Sequence, residues 1–91
     1  MWGWNPVTTE QGTNVSLSLA RAKEKGTRFI CVDPRFTDSA AVFADQWIPI
    51  RPGTDAAVLI AMAYVILKEN LEDKNFIESY TTGFDQYADY L

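Results

Sequence analysis

The spacing of apolar residues predicts three short strands alternating with helices. Apolar positions at helical spacing indicate an amphipathic helix over 14–25. The segment Arg28 to Val32 is apolar on both alternating faces, which is typical of a strand covered by helices on both sides. A second strand is predicted from Gln46 to Ile50, short or at a sheet edge because Pro49 lacks an N–H. The opening "WGW" is interpreted as the end of another strand.

Helices dominate the second half of the chain. A short helical turn is predicted through "SAAVFA", a long apolar helix from Asp55 to about Lys68, a third helix through "KNFIESY" and a last one beginning at "FDQYADYL". Turn and capping residues mark the boundaries. The predicted caps are Thr13 or Asn14, then Thr37 or Asp38, then Asp73, and the predicted stop signals are Gly26, Asn70 and Gly83.

This order of elements is typical of an open, mostly parallel α/β sheet. We expect a three-layer αβα, Rossmann-like partial nucleotide-binding subdomain in which residues 1–91 form a single domain. The carboxyl ends of parallel strands meet at one sheet edge, where ligands bind in such folds. The loops after the three predicted strands are therefore the place to look for a site.

Composition removes several classes of function. Twelve acidic residues against eight basic ones, with no histidine, give a net charge of −4, which disfavours binding to a phosphate backbone. The single cysteine, Cys31, excludes an internal disulfide and is interpreted as a buried, inert thiol. The longest apolar run, Ala56 to Leu67, is shorter than the ~20 residues that span a bilayer. We predict no direct membrane insertion, and the opening residues do not resemble a signal peptide.

Polar and conformationally special residues follow each predicted strand. The candidate ligand-binding residues are Asn5, Thr8 and Thr9 in the first loop, Asp33, Pro34 and Arg35 in the second, and Gly53 and Asp55 in the third. No metal-ligating or catalytic residue is predicted. The phosphate-binding patterns GxGxxG and GxxxxGK[ST] are absent from the sequence.

Both acidic candidates have a structural alternative. Asp33 stands where nucleotide-binding α/β folds place the acid that binds ribose hydroxyls, but it equally fits an Asx turn before Pro34. Asp55 in the first turn of a helix stabilises the helix dipole by about 0.3–1 kcal/mol. Its carboxylate could also accept hydrogen bonds from both N1–H and N2–H of guanine. The tryptophans Trp2, Trp4 and Trp47 are interpreted as packing residues rather than groove-lining ones.

Four segments together resemble the molybdopterin oxidoreductases of the dimethyl sulfoxide reductase type. They are "WGWNP", "VDPRFTDSA", "ADQWIPIRPGTDAAVLIAMAYVIL" and "NFIESYTTGFD", which cover nearly the whole chain. The resemblance implies a subdomain that binds one guanosine arm of a bis-molybdopterin guanine dinucleotide cofactor containing molybdenum or tungsten. By motif, Asn5 and the turn at Thr8 and Thr9 would lie along the pyrophosphate. Asp33, Pro34 and Arg35 would contact the guanosine, Gly53 would allow close backbone approach, and Asp55 would recognise the guanine edge.

The resemblance also implies that these residues hold the cofactor and do not catalyse. The family's cysteine-rich iron–sulfur segment and its metal-ligating residue have no counterpart here, so we interpret the chain as an internal piece of a larger catalytic subunit, inactive alone. Such a parent would function in anaerobic respiration, in the cytoplasm or exported to the periplasm, and an iron–sulfur cluster would be bound elsewhere in it. Expected partners are the parent's remaining domains and possible iron–sulfur and membrane-anchor subunits.

Two other functions stay open from the residues alone. One is a free-standing nucleotide-binding module that uses Asp33 without metal chemistry. The other is a partner-docking module whose contact surface is the apolar helix from Ala56 to Leu67, an exposed face of which would favour self-association of the isolated chain.

Overall fold

The described residues, 1–9 and 14–91 of this computed structural model, form a mixed α/β chain. The elements are α1 (Val15–Glu24), β1 (Ile30–Val32), α2 (Asp38–Phe43), β2 (Gln46–Ile48), α3 (Asp55–Lys68), α4 (Lys74–Tyr80) and α5 (Phe84–Tyr90). They belong to two compact units, residues 1–52 and 53–91. Each unit is described by itself.

The first unit is built on parallel backbone pairing around β1. On one side β1 pairs with β2, with Val32 opposite Ile48. On the other side Trp2 forms a parallel bridge with Val32, since the Gly3 N–H donates to the Val32 carbonyl at 2.9 Å. The Val32 N–H donates in turn to the carbonyl of Met1 at 2.8 Å. The opening segment is therefore strand-like, as the sequence predicted, and β1 lies in the middle.

Both strands are shorter than the sequence predicted. At the start of β1, the Phe29 carbonyl accepts from the N–H groups of Asp45 and Gln46, so Phe29 closes a loop instead of joining the ladder. At the end of β2, the Ile50 N–H donates back across Pro49 to the Ile48 carbonyl at 2.9 Å. The proline prediction is confirmed, because β2 is three residues long and, among residues 1–9 and 14–91, pairs only with β1.

A small core fills the first unit. Its buried apolar residues are Phe29, Cys31, Val32, Ala40, Phe43 and Ile50. The rings of Phe29 and Phe43 lie 6.0 Å apart, which joins the start of β1 to the end of α2. Ile30 is exposed, so β1 is not covered on both faces along its whole length as predicted. The Cys31 thiol is buried and free, as predicted.

Local capping fixes the two helices of the first unit. The Asn14 Oδ1 accepts from the Leu17 N–H at 2.9 Å at the start of α1, which confirms one of the two predicted caps. The alternative, Thr13, lies outside the described residues. Thr37 caps α2, because its Oγ1 accepts from the Ala40 N–H at 3.2 Å.

The second unit consists of α3, α4 and α5. The Asp73 Oδ1 accepts from the Phe76 N–H at 2.9 Å and caps α4, as predicted. The prediction that Gly83 ends α4 is wrong. The helix α4 ends at Tyr80. Gly83, with φ of 76°, precedes α5. No α3 residue is buried. None of the helices in the described part of the chain is both long and apolar enough to cross a membrane.

The predicted fold class is confirmed at its coarser level. The described residues combine helices with a two-stranded parallel sheet and one further parallel bridge. The three-layer, Rossmann-like arrangement and the assignment of 1–91 to one domain stay predictions.

Asp45 and Lys23 together connect α1, the end of α2 and the residue before β1 in the first unit. Its Oδ2 accepts from the Phe29 N–H at 2.7 Å, and its Oδ1 lies 3.7 Å from the Lys23 Nζ of α1. Lys23 also donates to the Phe43 carbonyl at the end of α2, at 2.6 Å. The Phe29 hydrogen bond, helped by the Lys23 charge and opposed by partial burial, lowers the pKa of the Asp45 carboxyl below its ordinary value of 3.8.

We therefore predict that Asp45→Asn lowers the unfolding temperature at neutral pH by several degrees. Because the folded pKa of Asp45 is lowered, its contribution is complete above the ordinary pKa and is lost as the pH falls below about 4. Thermal unfolding followed by circular dichroism between pH 7 and pH 3 should show a steeper loss for the unmodified chain than for the variant.

Asp89→Asn, in exposed α5, removes the same charge and serves as the control at neutral pH. Parallel pH curves for the unmodified chain and Asp45→Asn would contradict the assigned role of Asp45.

Candidate functional site

The first loop, defined as Asn5 to Thr9, is attached to the start of α2. The Asn5 Oδ1 accepts from both the N–H and the Oγ–H of Ser39, at 3.2 and 2.6 Å. The Ser39 Oγ accepts in turn from the Val7 N–H at 3.0 Å. The amide oxygen of Asn5, a predicted ligand contact, is thus committed to a residue 34 positions further along the chain.

Asn5 also organises the rest of the first loop. Its carbonyl accepts from the N–H groups of Thr8 and Thr9, at 3.1 and 3.0 Å, and from the Thr9 hydroxyl at 2.8 Å. Its Nδ2 donates to the Thr8 Oγ1 at 3.1 Å, and that hydroxyl donates at 3.3 Å to the Asp38 Oδ2. The polar groups predicted to contact a pyrophosphate are therefore engaged in hydrogen bonds within the chain. The bond from Thr8 to Asp38 is the longest of them and the most readily exchanged for another partner.

The second loop, defined as residues 33–37, begins at the carboxyl end of β1 with an Asx turn. The Asp33 Oδ1 accepts from the Arg35 N–H at 2.9 Å, so the turn that the sequence left as one alternative is present. The Asp33 N–H donates to the Ile48 carbonyl of β2 at 3.2 Å. Asp33 is half-buried, and Pro34 and Arg35 are exposed. The Asx turn uses the Oδ1 of Asp33 and does not use its Oδ2.

Trp47 holds the second loop from β2. Its Nε1–H donates to the Asp33 carbonyl at 2.9 Å. Its ring meets Phe36 edge-on, with centroids 5.2 Å apart and an interplanar angle of 70°. Trp47 thus contacts Phe36 and donates a hydrogen bond to the loop that contains Asp33, while 36% of its surface is exposed.

The third loop crosses from the first unit to the second. Gly53 and Asp55 belong to the second unit. Gly53 has φ of +80°, and a Cβ built there would meet no atom within 4 Å, so the residue is required by the backbone turn. Asp55 is exposed in the first turn of α3, which Thr54 precedes as N-cap.

The structure thus brings part of the predicted site together. Asn5, Thr8, Thr9 and Asp33 lie in loops that leave the paired residues Trp2 and Val32 at the same sheet edge. Sequence reasoning missed two residues there. The sequence interpretation places Ser39 only in the predicted helical turn and Asp38 only as a candidate helix cap. Their signal was the polar pair "DS" opening an otherwise apolar helix.

Two cavities lie away from the candidate residues. One, of about 370 Å³, lies in the second unit between α4 and α5, with Glu72, Ile77 and Phe84 among its lining residues. The other, of about 450 Å³, is an apolar groove along α3. Within the described part of the chain, no group of three or more His, Cys, Asp or Glu residues is placed to hold a metal ion.

Comparison with known proteins establishes the family. Residues 1–90 match the sequence profile of the molybdopterin oxidoreductases, and the chain belongs to this family. Dimethyl sulfoxide reductase DmsA of Escherichia coli strain K12 is 46% identical over 88 residues, which cover 94% of this chain and 11% of that protein. Dimethyl sulfoxide/trimethylamine N-oxide reductase of Cereibacter sphaeroides is 48% identical over 89 residues, covering 98% of this chain and 10% of that protein.

A solved structure shares the fold. Acetylene hydratase from Pelobacter acetylenicus superposes with a TM-score of 0.74 and 39% identity, over 84% of this chain and 10% of that one. The chain therefore spans about a tenth of the length of the proteins it is similar to. It is a family domain similar to dimethyl sulfoxide reductase, and the family implies a molybdenum or tungsten pterin cofactor in the parent enzymes.

We predict that Trp47→Phe loosens the second loop without unfolding the chain. The variant keeps an aromatic ring against Phe36 but loses the hydrogen bond to the Asp33 carbonyl, which contributes about 0.5–1.5 kcal/mol. Urea denaturation should show a loss of that size, and amide hydrogen exchange at Arg35 should accelerate. Trp4→Phe, at an exposed tryptophan, is the control, and equal effects of the two substitutions would contradict the role of Trp47.

Proposed function

We propose that this chain holds the guanosine arm of a bis-molybdopterin guanine dinucleotide in a larger molybdenum or tungsten oxidoreductase. The observation that carries the proposal is the position of Asp33. It lies in a fixed turn at the carboxyl end of the central strand, beside a second loop that leaves the same edge. Family membership supports the same class of ligand.

The Asx turn and the proposed ribose contact are compatible. The turn uses Oδ1 of Asp33, and the Trp47 indole and the Ile48 carbonyl hold the backbone on either side of that carboxylate. Oδ2 is the oxygen that we assign to the ribose hydroxyls. Asp33 is held by three hydrogen bonds, made by its Oδ1, its N–H and its carbonyl. It therefore loses little conformational freedom when a ligand binds.

Guanine recognition is assigned to the third loop. The exposed carboxylate of Asp55 offers two acceptor oxygens, which match the adjacent N1–H and N2–H donors of guanine. Gly53 has a positive φ and no side chain, so its backbone is accessible to a planar base. Adenine does not present that pair of donors.

The phosphates are assigned to the first loop and to Arg35. The exposed guanidinium of Arg35 supplies positive charge beside the Asp33 turn, where Pro34 also contacts the guanosine in this proposal. Thr8 is exposed, and its 3.3 Å bond to Asp38 can be exchanged for one to a phosphate oxygen. Asn5 and Thr9 shape the loop through the internal hydrogen bonds described above.

These residues bind and orient the cofactor, and its metal centre supplies the transfer of oxygen atoms or electrons. The comparisons support a holding role. Proteins named as reductases and one named as a hydratase share this segment at 39–48% identity, so the segment accompanies different reactions. We infer that substrate choice depends on residues elsewhere in the parent enzyme.

The proposed parent has further parts that the surrounding gene would reveal. We expect a cysteine cluster for an iron–sulfur site upstream and several hundred residues downstream, the latter supplying the second guanosine site. Iron–sulfur and membrane-anchor subunits are the proposed partners. A promoter and a natural stop codon around these 91 residues would contradict this part of the proposal.

The guanine assignment predicts a selective effect of Asp55→Asn. Asn offers one acceptor where Asp offers two, and a hydrogen bond to a charged group contributes about 1.5–3 kcal/mol, so GMP affinity should fall about 10- to 100-fold. AMP affinity should not change. Binding is measured by nuclear magnetic resonance titration, which detects millimolar dissociation constants.

Asp85→Asn is the matched control, because Asp85 is also an exposed acid in the first turn of a helix. It should leave both affinities unchanged. Equal binding of GMP and AMP by the unmodified chain would rule out guanine recognition by Asp55.

A further inference from the structure

Ser39 is fully buried, with 0% of its surface exposed, and its polar groups are directed at the first loop. Both its N–H and its hydroxyl donate to the Asn5 Oδ1, and its Oγ accepts from the Val7 N–H. At 2.6 Å the contact between hydroxyl and amide oxygen is short for its type. Ser39 therefore makes three hydrogen bonds between α2 and the first loop, two through its hydroxyl and one through its backbone N–H.

Ser39 is the second residue of α2 and lies in its first turn. Thr37 already caps this helix, because its Oγ1 accepts from the Ala40 N–H. Both hydrogen bonds of the Ser39 hydroxyl described above run to the first loop. The hydroxyl therefore serves the loop rather than α2.

The shape of the first loop follows from the position of Asn5. The carbonyl of Asn5 accepts three hydrogen bonds from Thr8 and Thr9, and its Nδ2 binds the Thr8 hydroxyl. Pro6, buried next to Asn5, restricts the backbone further. Fixing Asn5 thus fixes the whole segment from Asn5 to Thr9.

We propose that Ser39 is a positioning residue that holds the first loop in place for the diphosphate of the nucleotide arm. The inference rests on the proposed function and adds a residue to it. Ser39 itself touches no ligand. Its contribution is that the loop is ordered before binding, so little of the binding free energy is used to order it.

The test compares GDP with GMP, two probes that differ only in the second phosphate. The unmodified chain should bind GDP more tightly than GMP. Ser39→Ala should weaken GDP binding about tenfold and GMP binding less than twofold, since misplacing a loop affects the group that the loop contacts. Ser39→Cys nearly preserves the volume and should give the same selective loss where the alanine variant folds poorly.

Amide hydrogen exchange provides a readout that needs no ligand. In both variants the Thr8 and Thr9 amides should exchange about tenfold faster, while the Tyr87 amide of α5 is unchanged. Ser18→Ala, at an exposed serine of α1, is the matched control and should change neither exchange nor affinity.

Three outcomes would overturn the inference. They are equal losses for GDP and GMP, unchanged exchange at Thr8 and Thr9, and an unmodified chain that binds GDP no better than GMP. A different result, equal binding of GMP and AMP by the unmodified chain, would contradict the proposed function itself.

Discussion

Backbone pairing on both sides of Val32 is the constraint on which the candidate site depends. One side of this residue binds the segment around Trp2 and the other binds β2, in each case in the parallel sense. Parallel pairing sends the following residues to a common edge, so loops that begin at residues 3 and 33 emerge together. Without it, the loops that contain Asn5 and Asp33 would not leave the sheet at the same edge.

The loops at this edge are ordered by the chain itself. Ser39 fixes the first loop, and the indole of Trp47 fixes the second through the Asp33 carbonyl. These hydrogen bonds occupy acceptor groups of Asn5 and Asp33, two residues that the motif assigns to a ligand. Under the proposed function, the motif residues fall into two groups, those that contact the cofactor, chiefly Asp33 and Asp55, and those that hold the contacting loops. Asn5 moves into the second group.

What could be predicted from the sequence was mainly local. The caps Asn14, Thr37 and Asp73 each act within three residues of their own position, so spacing located Asp73 and narrowed each of the other two to a pair of neighbouring residues. The strand limits were missed because they depend on bonds between distant residues, such as those from Asp45 and Gln46 to the Phe29 carbonyl. The role of Ser39 could not be predicted for the same reason. In the sequence a serine that will be buried cannot be distinguished from other small residues, because its partner Asn5 lies 34 positions away.

The most direct test of the central claim is a map of amide chemical shifts as GMP is added to the 91-residue chain. We predict shifts concentrated at residues 33–36 and 53–55, with AMP producing weaker shifts at 53–55. Shifts confined to α4 and α5, around the cavity that none of the candidate residues lines, would contradict it.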